Sequence, residues 1–310
     1  MKAAQFKDYG GPEVIVINEI PQPTPDKNQV LIEVKAATIN PFDYKVRRGD
    51  MRGMMPLELP LTLGGNLSGV IVEVGNEIIK FKVGDEVFGQ AYAFGGGSGA
   101  IAEYAVSKEE NIAIKPKSTD HLEAGSLPLV GVSAVQALEQ HINLQKDQKI
   151  LIHGGAGGIG SIAIQLAKHI GAYVATTVSS EDMEFVKSLG ADEVIDFKSQ
   201  DFSEVLKDID AVFDTVGGET TDKSFKVLKK GGILISMVGE PSEELAKQYE
   251  VKVIGQNTET NTKKLTRLAE LIDQGVIKPV VDKVFPLDQT RDAFEYVETG
   301  HPRGKVVISI

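Results

Sequence analysis

The stretch Lys149-Ile150-Leu151-Ile152-His153-Gly154-Gly155-Ala156-Gly157-Gly158-Ile159-Gly160 decides how the chain is read. It opens as an apolar run of strand length. The glycines Gly155, Gly157 and Gly160 then satisfy G-x-G-x-x-G, and Ile162, Leu166 and Ile170 recur beyond them at helical spacing. In a chain with 32 glycines the spacing alone means little. Its setting between a strand and a helix gives it weight: glycines permit the tight turn, and bare backbone N–H groups at a helix N-terminus suit a pyrophosphate. Gly158 and Ile159, inside the loop, join the three glycines as candidate dinucleotide contacts. The plain alternative is an ordinary strand-to-helix turn.

Working outward from the loop, apolar strands alternate with helix-period segments. Strands are expected at Lys149–His153, Tyr173–Thr177, Glu193–Ile195, Ala211–Asp214, Gly232–Met237 and Val251–Ile254. Helices are expected at about 158–170, 180–189, 201–207, 220–229 and 242–248. Repeated β-α is the signature of a parallel, doubly wound sheet, with its ligand crevice at the strand C-termini. Residues 1 to about 122 differ: short Val- and Ile-rich strands punctuated by Gly and Pro predict a small irregular β-barrel. After a helix at about Asn261–Gln274, the tail returns to strand and helix, and its hydrophobic strands need a sheet partner, for which the barrel is the candidate. The expected fold class is therefore α/β in two domains. Residues 1–122 and 276–310 form the barrel domain, and residues 123–275 form the dinucleotide domain.

Composition removes several function classes. The chain has 310 residues, with 33 Lys and Arg against 44 Asp and Glu, a formal charge of −11 that disfavours nucleic acid. It has no cysteine, which excludes disulfides, thiolate metal ligands and a cysteine nucleophile. Its five histidines are scattered without His-x-x-x-His spacing, so no metal site is expected. Ile150–Ala167 has 18 residues without Asp, Glu, Lys or Arg, but five glycines fall inside it, so strand, turn and helix explain it better than a membrane span. The start has no signal-peptide shape. There is no Gly-x-Ser-x-Gly elbow, and no Gly-Lys-Ser/Thr as in an ATP-binding loop. A soluble cytoplasmic protein with no membrane or nucleic-acid partner is expected.

The second strand ends at Thr177-Val178-Ser179-Ser180, where NAD-selective sites place Asp or Glu. Ser179 and Ser180 can donate to a 2′-phosphate, which favours NADPH. Either serine could instead simply cap the next helix. Glu181 and Asp182 follow at once and would oppose a phosphate, leaving NADH as the alternative cofactor.

In order along the chain stand Met1-Lys2-Ala3-Ala4, Asn40-Pro41-Phe42-Asp43, Gly84-Asp85-Glu86-Val87, Ala102-Glu103-Tyr104, Leu127-Pro128-Leu129-Val130-Gly131, the glycine loop, Leu189-Gly190-Ala191, Asp214-Thr215-Val216-Gly217-Gly218 and Gly304-Lys305-Val306-Val307. Together they resemble the zinc-independent quinone oxidoreductase branch of the medium-chain dehydrogenase/reductase superfamily, over essentially the full length. The resemblance implies a GroES-like substrate domain and a Rossmann domain with the nicotinamide in the cleft between them. It also implies NADPH-dependent reduction of quinones or α,β-unsaturated carbonyls. A homodimer through a Rossmann sheet edge, with Gly232–Val238 as candidate, is implied as well. The chain departs from the family pattern at Leu63-Gly64-Gly65-Asn66, where Pro-Gly-x-Asp is usual, and Ser133 stands for a Thr near the nicotinamide. Relatives that bind the 2′-phosphate often carry Lys after the second strand and Tyr after the third. Here Glu181 or Asp182 and Phe197 occupy those places.

By the same resemblance, Asn40 to Lys45 lies beside the nicotinamide. Lys45 is a candidate to bind the nascent oxyanion or the cofactor ribose, or else is a solvated base in a patch with Arg47 and Arg48. Tyr44 could donate its hydroxyl or merely pack. Asn40 could hold the carboxamide or substrate, and Asp43 caps the following turn. At strand C-termini, Thr215, Val216 and Val238 are candidate cofactor contacts, and Lys305 is placed to reach the cleft. Gly95-Gly96-Gly97-Ser98-Gly99 reads as a flexible hairpin tip or a mobile lid. A non-catalytic NADPH-binding sensor or structural protein needs the same glycine loop, and steady turnover separates it from the reductase.

Overall fold

The unbroken apolar run at Ile150–Ile152 follows from the sheet it enters. In the computed structural model, which describes residues 1–54 and 56–310, six strands form a wholly parallel sheet: β1 Lys149–His153, β2 Tyr173–Val178, β3 Glu193–Asp196, β4 Ile209–Asp214, β5 Leu228–Ser236 and β6 Lys252–Gly255. Their order is β3-β2-β1-β4-β5-β6. β1 is central, flanked by β2 and β4, and a central strand covered on both faces has no side to give to polar residues. The strand order reverses between β1 and β4. In such sheets this reversal opens the ligand crevice beyond the strand C-termini.

The expected elements recur with shifted ends. The helix expected at 220–229 stops at Ser224, and β5 begins at Leu228, whose backbone pairs opposite Ile209. Phe225, Val227 and Leu228 all enter the core, and a short apolar run has no period of its own to mark where helix gives way to strand. Gly232–Val238, expected at a sheet edge, begins inside β5, which pairs with both β4 and β6. The edge strands are β3 and β6.

The chain divides into two compact units, one of Val130–Glu259 and Gln274–Lys278, the other of Met1–Leu129, Thr260–Asp273 and Pro279–Ile310. The helix Thr262–Asp273, read from sequence with the parallel-sheet domain, groups with the second of these. Thr262 Oγ1 donates to Glu109 O (3.1 Å), and Ser118 N–H donates to Asp273 Oδ1 (2.9 Å). Within this unit Gln29–Thr38 is the organising strand. It pairs antiparallel with Asn66–Val74, with Tyr104–Lys108 and, at its far end, with the tail strand Lys305–Ser309. Phe6, Ile32, Leu67, Ile101, Phe294 and Ile308 fill the core between its sheets.

The helix Pro41–Arg48 carries a guanidinium into that core. Arg47 is fully buried, not a member of a solvated patch. Its guanidinium grips Glu298 with two bonds (2.8 and 3.2 Å), donates to Gly10 O (3.1 Å) and lies over the Phe294 ring. Planar guanidinium and carboxylate match in this geometry, and removing one partner leaves the other charge stranded. Arg47→Ala is expected to destabilise the protein by about 3–5 kcal/mol. Arg48→Ala, at the exposed cation on the same carboxylate, is expected to cost below about 1 kcal/mol. Urea unfolding followed by circular dichroism checks both.

Candidate active site

The glycine loop is built by backbone approach. Gly157 N–H donates to Gly154 O (3.0 Å), and Gly157 caps the helix Gly158–Ile170. A Cβ on Gly160 would stand 2.2 Å from Gly154 O, so only glycine brings this helix so close to the strand end. At Gly157 the nearest atom to a Cβ is 3.4 Å away, so its outer side is open. A side chain there would fill the space over the helix N-terminus that a pyrophosphate takes. The loop therefore fits the dinucleotide it was read to hold.

Around it, at the C-terminal ends of the strands, Phe197, Val216 and Val238 are each about half exposed (58%, 52% and 47%). Three bare apolar side chains along one sheet edge suit the flat faces of a nucleotide. Phe197 is fixed by its N–H to Val178 O (3.1 Å), and Val238 by its N–H to Ser236 Oγ (3.1 Å). Thr215 Oγ1 donates to His153 O (2.8 Å), tying the turn after β4 to the end of β1. Asp214 is committed to that turn, accepting from Val216 N–H, Gly217 N–H and Thr221 Oγ1. Ser179 Oγ donates to Asp182 Oδ2 (3.0 Å), so its hydroxyl is engaged by a carboxylate. Ser133 is buried with its hydroxyl 2.7 Å from Thr258 Oγ1.

His153 is fully buried between Thr177 Oγ1 (2.9 Å to Nδ1) and Ser224 Oγ (3.0 Å to Nε2). Ser224 spends its own proton on Thr220 O, so His153 donates from Nε2 and accepts at Nδ1, as a neutral ring. Burial pushes the imidazole down to about 4, with Asp214 pulling the other way.

In the other unit a second polar group forms around Asn40. Lys305 Nζ donates to Asn40 Oδ1 (2.8 Å) and Ile39 O (2.5 Å), and Asn40 N–H donates to Asp43 Oδ2 (2.7 Å). All three side chains are buried. An ammonium has only donors, so the oxygen of the Asn40 amide must face it. That leaves Asn40 Nδ2 a buried donor with only the Tyr92 hydroxyl beside it, short of full hydrogen-bond geometry. Burial pushes the Asp43 carboxyl up to about 7, against the pull of Asn40 N–H and Lys305. Burial pushes Lys305 down to about 8, with Asp43 opposing. The Tyr92 hydroxyl rises well above its usual value, by burial first and Asp43 second, with the Asn40 amide acting against both.

The structure thus brings Asn40 and Lys305 together and leaves Lys45 exposed on the same helix. Tyr44 packs half-buried under the Arg48 guanidinium, 4.9 Å from the ring centroid. Sequence reasoning missed Tyr92. Two more buried amides keep an atom without a hydrogen bond, Asn66 Nδ2 and, just after β6, Gln256 Oε1, whose segment Ile254-Gly255-Gln256 the sequence marks as a strand C-terminus. Asn66 stands where the family usually has Asp, which was the available signal.

Residues 26–117 match the alcohol dehydrogenase GroES-like domain, and residues 189–308 match a domain described as zinc-binding dehydrogenase. Over 317 aligned residues the chain is 38% identical to the NADPH-dependent alkenal/one oxidoreductase, chloroplastic, of Arabidopsis thaliana, covering 99% of this chain and 79% of that protein. The chain belongs to the medium-chain dehydrogenase/reductase superfamily. Its place is in the zinc-independent quinone oxidoreductase branch. The quinone oxidoreductase of Coxiella burnetii superposes with a TM-score of 0.90 at 35% identity, covering 100% of this chain and 99% of that one. The Escherichia coli quinone oxidoreductase complexed with NADPH does so with a TM-score of 0.90 at 27% identity, covering 100% of both chains. The α/β fold joins a GroES-like domain to a Rossmann domain. Among the described residues no group of three or more His, Asp or Glu is placed to hold a metal ion.

Two expectations follow. Gly160→Ala should lower stability by about 1–3 kcal/mol, since helix or loop must shift, whereas Gly157→Ala should fold normally and weaken dinucleotide binding. Thermal unfolding and calorimetric titration measure the two. For His153, the folded value near 4 lies below the ordinary 6.5, so the unfolded state binds the extra proton first. Stability should fall as pH drops from about 6.5 towards 4, and His153→Gln should flatten that limb of the melting profile.

Proposed function

We propose that this chain is an NADPH-dependent reductase that passes hydride to small quinones or α,β-unsaturated carbonyls. The observation that carries it is the glycine loop at the sheet's order reversal, in a chain 38% identical over 99% of its length to a protein named as an NADPH-dependent alkenal/one oxidoreductase. In this reading the parallel-sheet unit binds the dinucleotide and the unit built on Gln29–Thr38 holds the acceptor.

NADPH, when bound, supplies a hydride, two electrons with one hydrogen. The protein's part is to bind and to stabilise charge. Gly155, Gly157, Gly158, Ile159 and Gly160 hold the pyrophosphate. Ser179, Ser180 and Phe197 take the adenosine end, and Ser133, Thr215, Val216 and Val238 flank the nicotinamide half. Hydride addition leaves negative charge on the acceptor oxygen, as an enolate or a hydroquinone anion, and a proton from water completes the saturated carbonyl or hydroquinone. The Nδ2 of Asn40, its amide oriented by Lys305, is the donor for that oxygen. Lys45 and Tyr44 are its neighbours on the same helix. Among the described residues no helix is long and apolar enough to cross a membrane. The lack of cysteine fits a reducing cytoplasm, and the family resemblance supports a homodimer.

Loss of reduced-nicotinamide absorbance with benzoquinone and with methyl vinyl ketone tests the proposal, and faster turnover with NADPH than with NADH is expected. Asn40→Ala should lower kcat by about 100-fold with an unchanged circular dichroism spectrum. Tight NADPH binding with no turnover of any acceptor would replace the reductase by a sensor.

A further inference from the structure

Three aromatic rings close to Asn40 and Asp43 take no part in the reading so far. Phe94 sits in the short turn Ala93–Gly95 and stacks on Tyr92, centroids 5.0 Å apart and planes at 26°. Phe42 meets both edge-on, at 5.7 Å from Tyr92 and 5.5 Å from Phe94. Tyr92 and Phe94 line a small recess of about 10 Å³, room for one water, together with Asp43, Leu61, Thr62 and Gly64, so a larger guest meets the open face of Phe94 above it.

The rings are held in place by backbone. A Cβ on Gly65 would stand 1.9 Å from the Tyr92 ring, so the ring lies flat against a stretch of chain that only glycine permits. Gly95 and Gly97 N–H both donate to Tyr92 O (2.9 Å each), and Gln29 Nε2 donates to Gly96 O (2.9 Å). Ser98 Oγ accepts from Val106 N–H (3.0 Å). The glycine-rich stretch is therefore a pinned turn, and it presents Phe94 with 40% of its surface still bare. An aromatic surface left to water beside a pocket gains most from a flat guest, because stacking adds to the apolar area covered.

On the reductase reading, on which this inference rests, we infer that Phe42, Tyr92 and Phe94 form an aromatic wall that favours planar conjugated acceptors over short aliphatic enones, with Phe94 setting the selectivity. A fused-ring quinone or an aryl enone covers the open part of Phe94 and gains stacking area there. A four-carbon enone has no ring to stack and gains little from the wall.

Phe94→Ala removes the partly exposed ring and leaves Phe42 and Tyr92 in place. The expected result is a loss of about 3- to 10-fold in kcat/KM for naphthoquinone, with methyl vinyl ketone changed by less than about 2-fold, and restoration of the quinone rate in Phe94→Tyr. Equal loss for both acceptors, or no loss for the quinone, overturns the inference. If the unaltered protein reduces neither acceptor, the reductase reading fails. Calorimetric binding of naphthoquinone to the full chain then decides the wall separately: weaker binding by Phe94→Ala upholds it, and unchanged or undetectable binding overturns it.

Discussion

At the turn after β1, the Cα of Gly160 packs so closely against the carbonyl of Gly154 that no side chain fits between them. That approach seats the helix Gly158–Ile170 against the end of the central strand. The helix N-terminus is thereby placed at the C-terminal edge of the sheet, where the strand order reverses. The bare apolar side chains Phe197, Val216 and Val238 follow the C-terminal ends of β3, β4 and β5 of that same sheet. A displaced helix would leave that edge without a helix N-terminus. The tie from Thr215 to His153 O and the His153 bonds to Thr177 and Ser224 hold the strand ends in register around it.

The other unit keeps polar groups inside for two different purposes. Arg47 and Glu298, with Gly10 O and Arg48 completing their bonds, join the helix Pro41–Arg48 to the helix Thr290–Thr299, so their role is architectural. Around Asn40 the bonding is incomplete. Lys305 and Asp43 use up the amide oxygen and the backbone N–H, and the amide nitrogen has only the Tyr92 hydroxyl, short of full hydrogen-bond geometry. Burying a poorly paired donor is costly, and here the amide that carries it is fixed by a buried ammonium. Asp43 and Lys305, moved towards neutrality from opposite sides, fit that economy of charge.

Much of this was legible in the residues. The parallel sheet, the glycine loop and its helix follow from hydrophobic period and turn chemistry, which act over a few residues. The tail strand's need for a partner was visible too, though the partner's atoms were not. The ends of β5 and of the preceding helix were blurred, because Phe225, Val227 and Leu228 are buried in either conformation.

What lay beyond the sequence was any contact between residues far apart in it. Lys305 meets Asn40 across 265 positions, and Arg47 meets Glu298 across 251. Composition marks both cations as ordinary surface charges until tertiary packing removes the water around them. The aromatic wall is of the same kind: Phe42 and Phe94 are unremarkable apart, and only the close passage of Gly65 under Tyr92 assembles them. Local backbone preference is written in neighbouring residues and can be read there. Burial, pairing and orphaned donors depend on which distant segments share a core, and the folded chain alone decides that.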